Sequence, residues 1–209
     1  MIYLIITTSI HNKVGKQDPS KRRDQYLNAI SETLQFLPKE IMPVIVENNG
    51  LRETYLDYFH HFSNPVKVIY TQNNLETYKN KGVNEMFDIK EVIQKLDIQN
   101  TDMIIKLTGR YRITSSAFFD EVIKNKEDDA FLKFYNADRM MFHPSDCILG
   151  LYALRAMYFK MLNPLSFNHE SSPESKFAKY IRFSKLQLKE VNHLGLECVF
   201  ADDFRVVEV

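Results

Sequence analysis

The sequence predicts an α/β fold, a mainly parallel mixed sheet flanked by helices, and three observations carry that expectation. Short apolar runs alternate with longer amphipathic segments through the first half, the pattern of strand–helix units that build a parallel sheet. Residues 2–6, 44–46 and 103–105 are continuously apolar, as strands covered on both faces must be. The second half carries strands without full crossover helices between them, so an antiparallel addition is expected there. The chain has 209 residues, 44% hydrophobic and 26% charged, with no repeat, linker or low-complexity tract. One domain over residues 1–209 is therefore expected.

In chain order, residues 2–8 are β-rich and brief, a first strand. Asp18-Pro19-Ser20 supplies a helix cap and a first-turn proline, and Tyr26, Leu27, Ile30, Leu34 and Leu37 then recur at helical spacing until Pro38. Residues 42–46 are a second strand, stopped by the turn cluster Glu47-Asn48-Asn49-Gly50. Residues 51–62 are expected as a second helix, with Leu56 and Phe59, or Tyr55 and Phe62, turned inward. A third strand over 66–70 leads to a helix over 82–96, with Met86, Ile89, Val92, Ile93 and Leu96 on one face. The strand over 102–107 is interrupted by Thr108-Gly109-Arg110-Tyr111. A short helix over 118–123, strands over 130–135 and 147–154, and a helix over 155–162 follow. Ser172-Pro173-Glu174 opens a last helix that buries Phe177, Tyr180 and Ile181, and residues 196–200 close as a strand.

Lys+Arg and Asp+Glu each number 27, so the formal net charge is zero. Nucleic acids and anionic membranes are bound through excess positive charge, so no nucleic-acid partner is expected, while a local basic patch for one small anion remains compatible. Cys147 and Cys198 are too few for a disulfide framework or a zinc cluster and read as buried reduced thiols. The N-terminal apolar run is far shorter than the roughly 20 residues of a membrane span, and no basic segment precedes it. No integral membrane segment and a cytoplasmic location are expected. The sequence has no G-x-G-x-x-G, no G-x-x-x-x-G-K-[ST] and no G-x-S-x-G, and only six glycines, which argues against a dinucleotide dehydrogenase, a P-loop NTPase and a serine hydrolase. His60-His61 lacks any companion at ligand spacing and reads as a solvated helix face.

In an open α/β sheet, ligands bind beyond the carboxyl ends of the strands. There the sequence places Thr7, Thr8 and Ser9, then Glu47, Asn48 and Asn49, then Thr71-Gln72-Asn73-Asn74, then Lys106, Thr108, Gly109 and Arg110. Polar residues follow most strands simply as turns, but four clusters rich in amides and hydroxyls favour a polar ligand. Lys79-Asn80-Lys81-Gly82-Val83-Asn84-Glu85 is a basic turn feeding a helix, where cations and free N–H groups suit an anion. Lys106, Arg110 and Arg112 fall within seven residues around Gly109. A buried strand rarely carries a lysine unless it meets an anion or a carboxylate. Lys106 and Arg110 suit a diphosphate, and the alternative for Lys106 is an internal ion pair with Glu47 or Glu85.

These residues resemble the GT-A class of nucleotide-sugar glycosyltransferases. Lys106-Leu107-Thr108-Gly109-Arg110-Tyr111 is similar to a K-[IL]-[TS]-G-R-Y signature of viral and bacterial members. The first strand with Thr7-Thr8-Ser9, the Glu47-Asn48-Asn49-Gly50 turn and the Lys81-Gly82-Val83-Asn84 helix start look like the donor-binding half of that class, here residues 1–115. The run 146–155 and His169-Glu170-Ser171-Ser172-Pro173-Glu174 resemble the acceptor half more loosely, here residues 116–209. The resemblance implies a GT-A-like, Rossmann-type three-layer sandwich. It also implies transfer of a sugar from a nucleoside-diphosphate donor, UDP-linked for instance, to a hydroxyl of a glycan or glycoconjugate. Donor binding then falls to Thr7, Thr8, Ser9, Glu47, Asn48, Lys81, Gly82, Asn84, Lys106, Thr108, Gly109 and Arg110.

One departure stands out. Most members hold Mn²⁺ or Mg²⁺ with an Asp-x-Asp after the fourth strand, where this chain has Thr108-Gly109-Arg110. Asn136-Ala137-Asp138 and Ala201-Asp202-Asp203 are acidic but lie elsewhere in the pattern, so metal dependence stays open. A guanidinium binds phosphate oxygens in pairs and can take the place of the metal charge. An inverting transferase needs a base across the sugar from the diphosphate. Asp146, His169, Glu170 and Glu174 are the candidates, with Glu174 first by resemblance, then Glu170 and Asp146. Two other activities share the expected sheet. A nucleotidyltransferase that makes a sugar nucleotide usually carries a Gly-rich basic loop straight after the first strand, and Ser9-Ile10-His11-Asn12-Lys13 offers little of it. A non-catalytic nucleotide- or sugar-binding module would bind donor without hydrolysing it.

Overall fold

The computed structural model describes residues 1–11, 18–74, 78, 81–167, 172–199 and 206–209. Among them, seven strands form a central sheet in the order β10-β8-β9-β6-β1-β2-β5. They are β1 (Ile2–Thr8), β2 (Ile41–Glu47), β5 (Lys67–Tyr70), β6 (Met103–Thr108), β8 (Ala130–Leu132), β9 (Leu151–Arg155) and β10 (Leu188–Glu190). β6 lies at the centre, and β1 beside it runs parallel to both β6 and β2. β9 runs antiparallel to both β6 and β8, the expected antiparallel addition. A hairpin joins β3 (His60–His61) to β4 (Asn64–Pro65), and a second sheet orders β12 (Val206–Glu208), β11 (Leu196–Val199) and β7 (Arg112–Ile113).

Alternation along β1 sorts the two faces. Ile2, Leu4 and Ile6 join one buried cluster with Tyr26 and Ile30 of α1 (Pro19–Phe36) and Phe118 and Phe119 of α3 (Ala117–Lys124). Tyr3 and Ile5 join the other, with Val83, Ile89 and Val92 of α2 (Lys81–Lys95), Phe159 of α4 (Ala156–Met161) and Phe177 of α5 (Pro173–Phe183). Side chains of a strand point to opposite faces in turn, so a continuously apolar strand must be covered on both. The result is the expected three-layer sandwich. The helix starts follow their caps: Asp18 Oδ1 accepts the Lys21 amide at 3.1 Å, and Ser172 Oγ accepts the Ser175 amide at 3.4 Å, each ahead of a proline.

Two expectations are corrected. Residues 51–62 do not form a helix but a short 3₁₀ turn, Thr54–Tyr58, followed by the β3–β4 hairpin. Phe62 and Ser63 take φ of 44° and 66°, the left-handed pair that turns a two-residue hairpin, and this breaks the helical register. Leu56 is buried as expected, whereas Phe62 is exposed. The strands expected over 130–135 and 147–154 are shorter, because the chain between β8 and β9 leaves the sheet to wall a cleft.

Candidate active site

The cleft opens at the carboxyl edge of β6 and encloses about 470 Å³. Its floor is Lys106, Thr108, Arg110 and Tyr111 of the β6 end. Gly82 and Glu85 of the first turns of α2 form one side, and Ser172, Pro173 and Glu174 at the start of α5 form another. The segments 135–138 and 146–150 complete the wall, with Cys198 of β11 beside them. Two helix N-termini thus border one cavity, and the positive end of a helix dipole lies at each.

Gly109 makes the tight exit from β6 possible. Its amide donates to Thr7 O at 2.9 Å, and a Cβ there would lie 2.9 Å from both Ile6 Cγ2 and Thr7 O. Only a residue without a side chain can press so close to β1.

Lys106 is 2% exposed. Its ammonium meets Glu85 Oε2 at 2.6 Å, Thr108 Oγ1 at 2.6 Å and Leu149 O at 2.9 Å. An ammonium has three donors, and these three partners match them. Of the two carboxylates expected as alternatives for Lys106, Glu85 is the one it meets. Arg110 is half-buried, donates from Nη1 to Val199 O, and lies 5.1 Å from the Tyr111 ring centroid. Arg110 also lines the cavity, and its guanidinium carries four N–H donors besides the one bonded to Val199 O. Burial pushes the Cys198 thiol up to about 12, so it stays protonated beside these cations.

In the second half, Asp146 and Glu174 both line the cleft. Asp146 accepts Asn136 Nδ2 at 2.7 Å and the Cys147 amide at 2.9 Å. Glu174 accepts Ser172 Oγ at 2.6 Å. Glu170 and His169 lie outside the described residues, as do Lys79, Asn80, Asp202 and Asp203 and the side chain of Lys81. Tyr111, Tyr135, Asn136 and Asp138 also line the cleft, and the sequence reading did not assign them to the site. Tyr135, Asn136 and Asp138 sit just past a strand end, the signal that had picked out the other clusters. Asn136 and Asp138 show it even with the strand expected to end at 135; only for Tyr135 is it hidden, because β8 stops at Leu132.

The earlier strand ends are used differently. Thr7 Oγ1 donates to Leu107 O at 3.3 Å, and Ser9 O accepts Arg22 Nη2 at 2.7 Å. Glu47 is 0% exposed and accepts Thr8 Oγ1 at 2.6 Å, the Ile10 amide at 3.2 Å and the Asn49 amide at 3.3 Å. Burial pushes its carboxyl up from the usual range while these bonds pull it down. Asn48 Nδ2 donates to Asp88 Oδ2 at 3.0 Å, and Asp88 also accepts Thr71 Oγ1 at 2.6 Å and Asn73 Nδ2 at 3.0 Å. Asn84 is buried near the start of α2. These groups shape the loops behind the cleft, and none of Thr7, Thr8, Ser9, Glu47, Asn48 or Asn84 is among its lining side chains.

Among the described residues no three His, Cys, Asp or Glu side chains come together as a ligand set, and Arg110 stands where the GT-A pattern has an acidic ligand.

No protein-family model and no curated protein matches this sequence. Solved structures match it in fold. A protein described as a nucleotide-diphospho-sugar transferase of Desulfovibrio desulfuricans G20 aligns over 91% of this chain and 79% of its own, with a TM-score of 0.58 and 12% identity. The galactosyltransferase LgtC, solved with donor and acceptor sugar analogues, aligns over 92% and 73%, at 0.57 and 7%. The 4-diphosphocytidyl-2C-methyl-D-erythritol synthase of Anaerococcus prevotii aligns over 91% and 86%, at 0.53 and 13%. The chain has the fold of the GT-A nucleotide-sugar transferases.

Proposed function

We propose that this protein is a glycosyltransferase that moves a sugar from a nucleoside-diphosphate donor to a hydroxyl of a glycan or glycoconjugate. One observation carries the reading: two helix N-termini and Arg110 border a single polar cavity at the carboxyl edge of the sheet. Arg110 and the first turn of α2 at Gly82 receive the diphosphate. Lys106 acts at one remove, by holding Glu85 and Thr108 at the floor. The nucleoside lies toward the Thr7–Ser9 and Glu47–Asn48 loops, which Glu47 and Asp88 hold in shape.

In the reaction, the bond from the anomeric carbon to the diphosphate oxygen breaks and its electron pair leaves with the nucleoside diphosphate. The acceptor oxygen forms the new bond and gives up its proton to a carboxylate across the sugar, for which Glu174, Glu170 and Asp146 stand as candidates. Arg110 stabilises the charge that grows on the departing diphosphate, most strongly in the transition state.

Melting curves with nucleoside diphosphates test the site. At about 100 Kd the linkage term is about 2.7 kcal/mol, a rise of roughly 5–10 °C for a chain of this size. No shift with any nucleoside diphosphate, with or without Mn²⁺, would overturn the reading. A nucleotidyltransferase is the second reading, favoured by the shared fold of the Anaerococcus prevotii synthase. It would release pyrophosphate from a nucleoside triphosphate and a sugar phosphate, whereas the glycosyltransferase slowly hydrolyses a nucleotide sugar. A binding module would do neither.

A further inference from the structure

Beside the cleft mouth, the chain between β8 and β9 folds back on itself. Asn136 and Met141 form an isolated antiparallel bridge, Asn136 Oδ1 accepts the Arg139 amide at 2.7 Å, and Met140 turns the backbone at φ 50°. That conformation favours Gly or Asn, and a large apolar residue there is uncommon. At this turn Met140, Met141 and Phe142 are 60%, 55% and 58% exposed. Scattered apolar side chains on a surface are ordinary, but a contiguous group marks a contact site.

The base of the turn is fixed to α5. Arg182 Nε donates to Pro144 O at 2.7 Å, and its guanidinium lies 4.0 Å from the Phe134 ring centroid. The next residue, Phe183, is 85% exposed. Residues 173–185 carry four cations, Lys176, Lys179, Arg182 and Lys185, against one carboxylate, Glu174, at the cleft end of the helix. Glu190 lies 3.6 Å from Arg182. The zero net charge of the whole chain therefore conceals a rim that is apolar at 140–142, where Asp138 and Arg139 offset each other, and basic along α5.

We infer that this rim docks the protein on an anionic lipid bilayer. The side chains of 140–142 enter the boundary between headgroups and acyl chains, and Lys179 and Lys185 meet the lipid phosphates. Apolar insertion and electrostatic attraction act together at such surfaces, and neither is strong alone. A fluid bilayer accepts a narrow tip of flexible Met and Phe side chains without a matching groove. Docking here sets the cleft mouth at the membrane surface. The inference stands on the rim alone and does not depend on the transfer reaction.

Sedimentation of the full chain with vesicles tests it. The protein should pellet with vesicles of phosphatidylglycerol and phosphatidylcholine in equal parts, not with phosphatidylcholine alone, and added salt should release it. The double variant Met141→Glu/Phe142→Glu should lower the bound fraction at least about tenfold, and Lys179→Glu/Lys185→Glu should weaken it too. Met140→Asn suits the left-handed turn, so it should keep the melting temperature while reducing binding. Met42→Glu, at an exposed position of β2, should change nothing. The inference is overturned if the wild type stays in the supernatant with both vesicles, or if Met140→Asn and the glutamate variants sediment like the wild type. It is equally overturned if the wild type is a dimer that the double variant turns into a monomer, since the rim then serves a second copy of the chain.

Discussion

Lys106 of β6 and Glu85 of α2 meet at 2.6 Å, joining the central strand to the helix that borders the cleft. The lysine is buried and the carboxylate side chain is 30% exposed, so the two ends of the pair are unequal. Glu85→Ala should destabilise by about 1–3 kcal/mol, because it strands a buried ammonium while solvent screens part of the original attraction. Adding Lys106→Met should recover part of that loss, since an apolar side chain of similar length needs no counter-charge. Urea unfolding of the two single variants and the double variant checks this, and purely additive losses would contradict it.

Arg110→Lys should lower turnover clearly with the fold intact, because an ammonium cannot bind two phosphate oxygens with a planar pair of donors. Arg110→Ala should lower it further and weaken nucleoside-diphosphate binding. Steady-state kinetics and melting shifts read the two effects separately. Wild-type activity in Arg110→Ala would return this residue to a purely structural role, bonded to Val199 O.

The three candidate bases separate by amide substitution. Glu174→Gln, Glu170→Gln and Asp146→Asn should be measured for transfer and for donor affinity. The true base loses turnover by roughly 10²–10⁴-fold while donor binding survives. Asp146 already accepts two hydrogen bonds within its own loop, and Asp146→Asn should disturb stability as well. Near-normal turnover in all three would contradict an inverting mechanism.

Asp88 makes stability depend on pH. Burial pushes its carboxyl up to about 7 from the ordinary 3.8, against the bonds from Thr71, Asn73 and Asn48 that favour the charged form, while nearby Glu85 adds to the rise. The folded state therefore holds this proton more tightly than the unfolded chain. The resulting stability is complete below about pH 4 and is lost as pH rises through about 7. Asp88→Asn should flatten that slope in urea unfolding midpoints taken between about pH 4 and pH 8. An unchanged slope would place the proton elsewhere.

Gly109→Ala should be among the most harmful small substitutions at the site. Its Cβ would meet Ile6 Cγ2 and Thr7 O at 2.9 Å, and the second of these is backbone that cannot swing away. A loss of about 1–3 kcal/mol is expected from overpacking, or roughly 2–12 °C in melting temperature. Calorimetry on the variant checks it.

The sequence by itself determined the sheet and the helices that cover it. The apolar runs of β1, β2 and β6, the caps at Asp18 and Ser172 and the helical stripe of α2 are local signals, written in the periodicity of neighbouring residues. That Thr108, Arg110 and Glu174 would border a cleft was also legible, since they sit at a strand end or a helix start, whereas Asp146 was picked out only by resemblance. Tertiary structure decided what those residues do. Nothing local shows that Lys106 turns to Glu85 and Leu149, because these partners arrive from α2 and from the segment before β9. Nothing local shows that Glu47 is enclosed to serve its own loop, or that Asp88 of α2 serves the loops after β2 and β5. The 3₁₀ turn and hairpin in place of a helix over 51–62, and the strands β7, β10 and β12 of two or three residues, are too short for any period to register. They exist because long-range pairing supplies the hydrogen bonds that so few residues cannot supply alone.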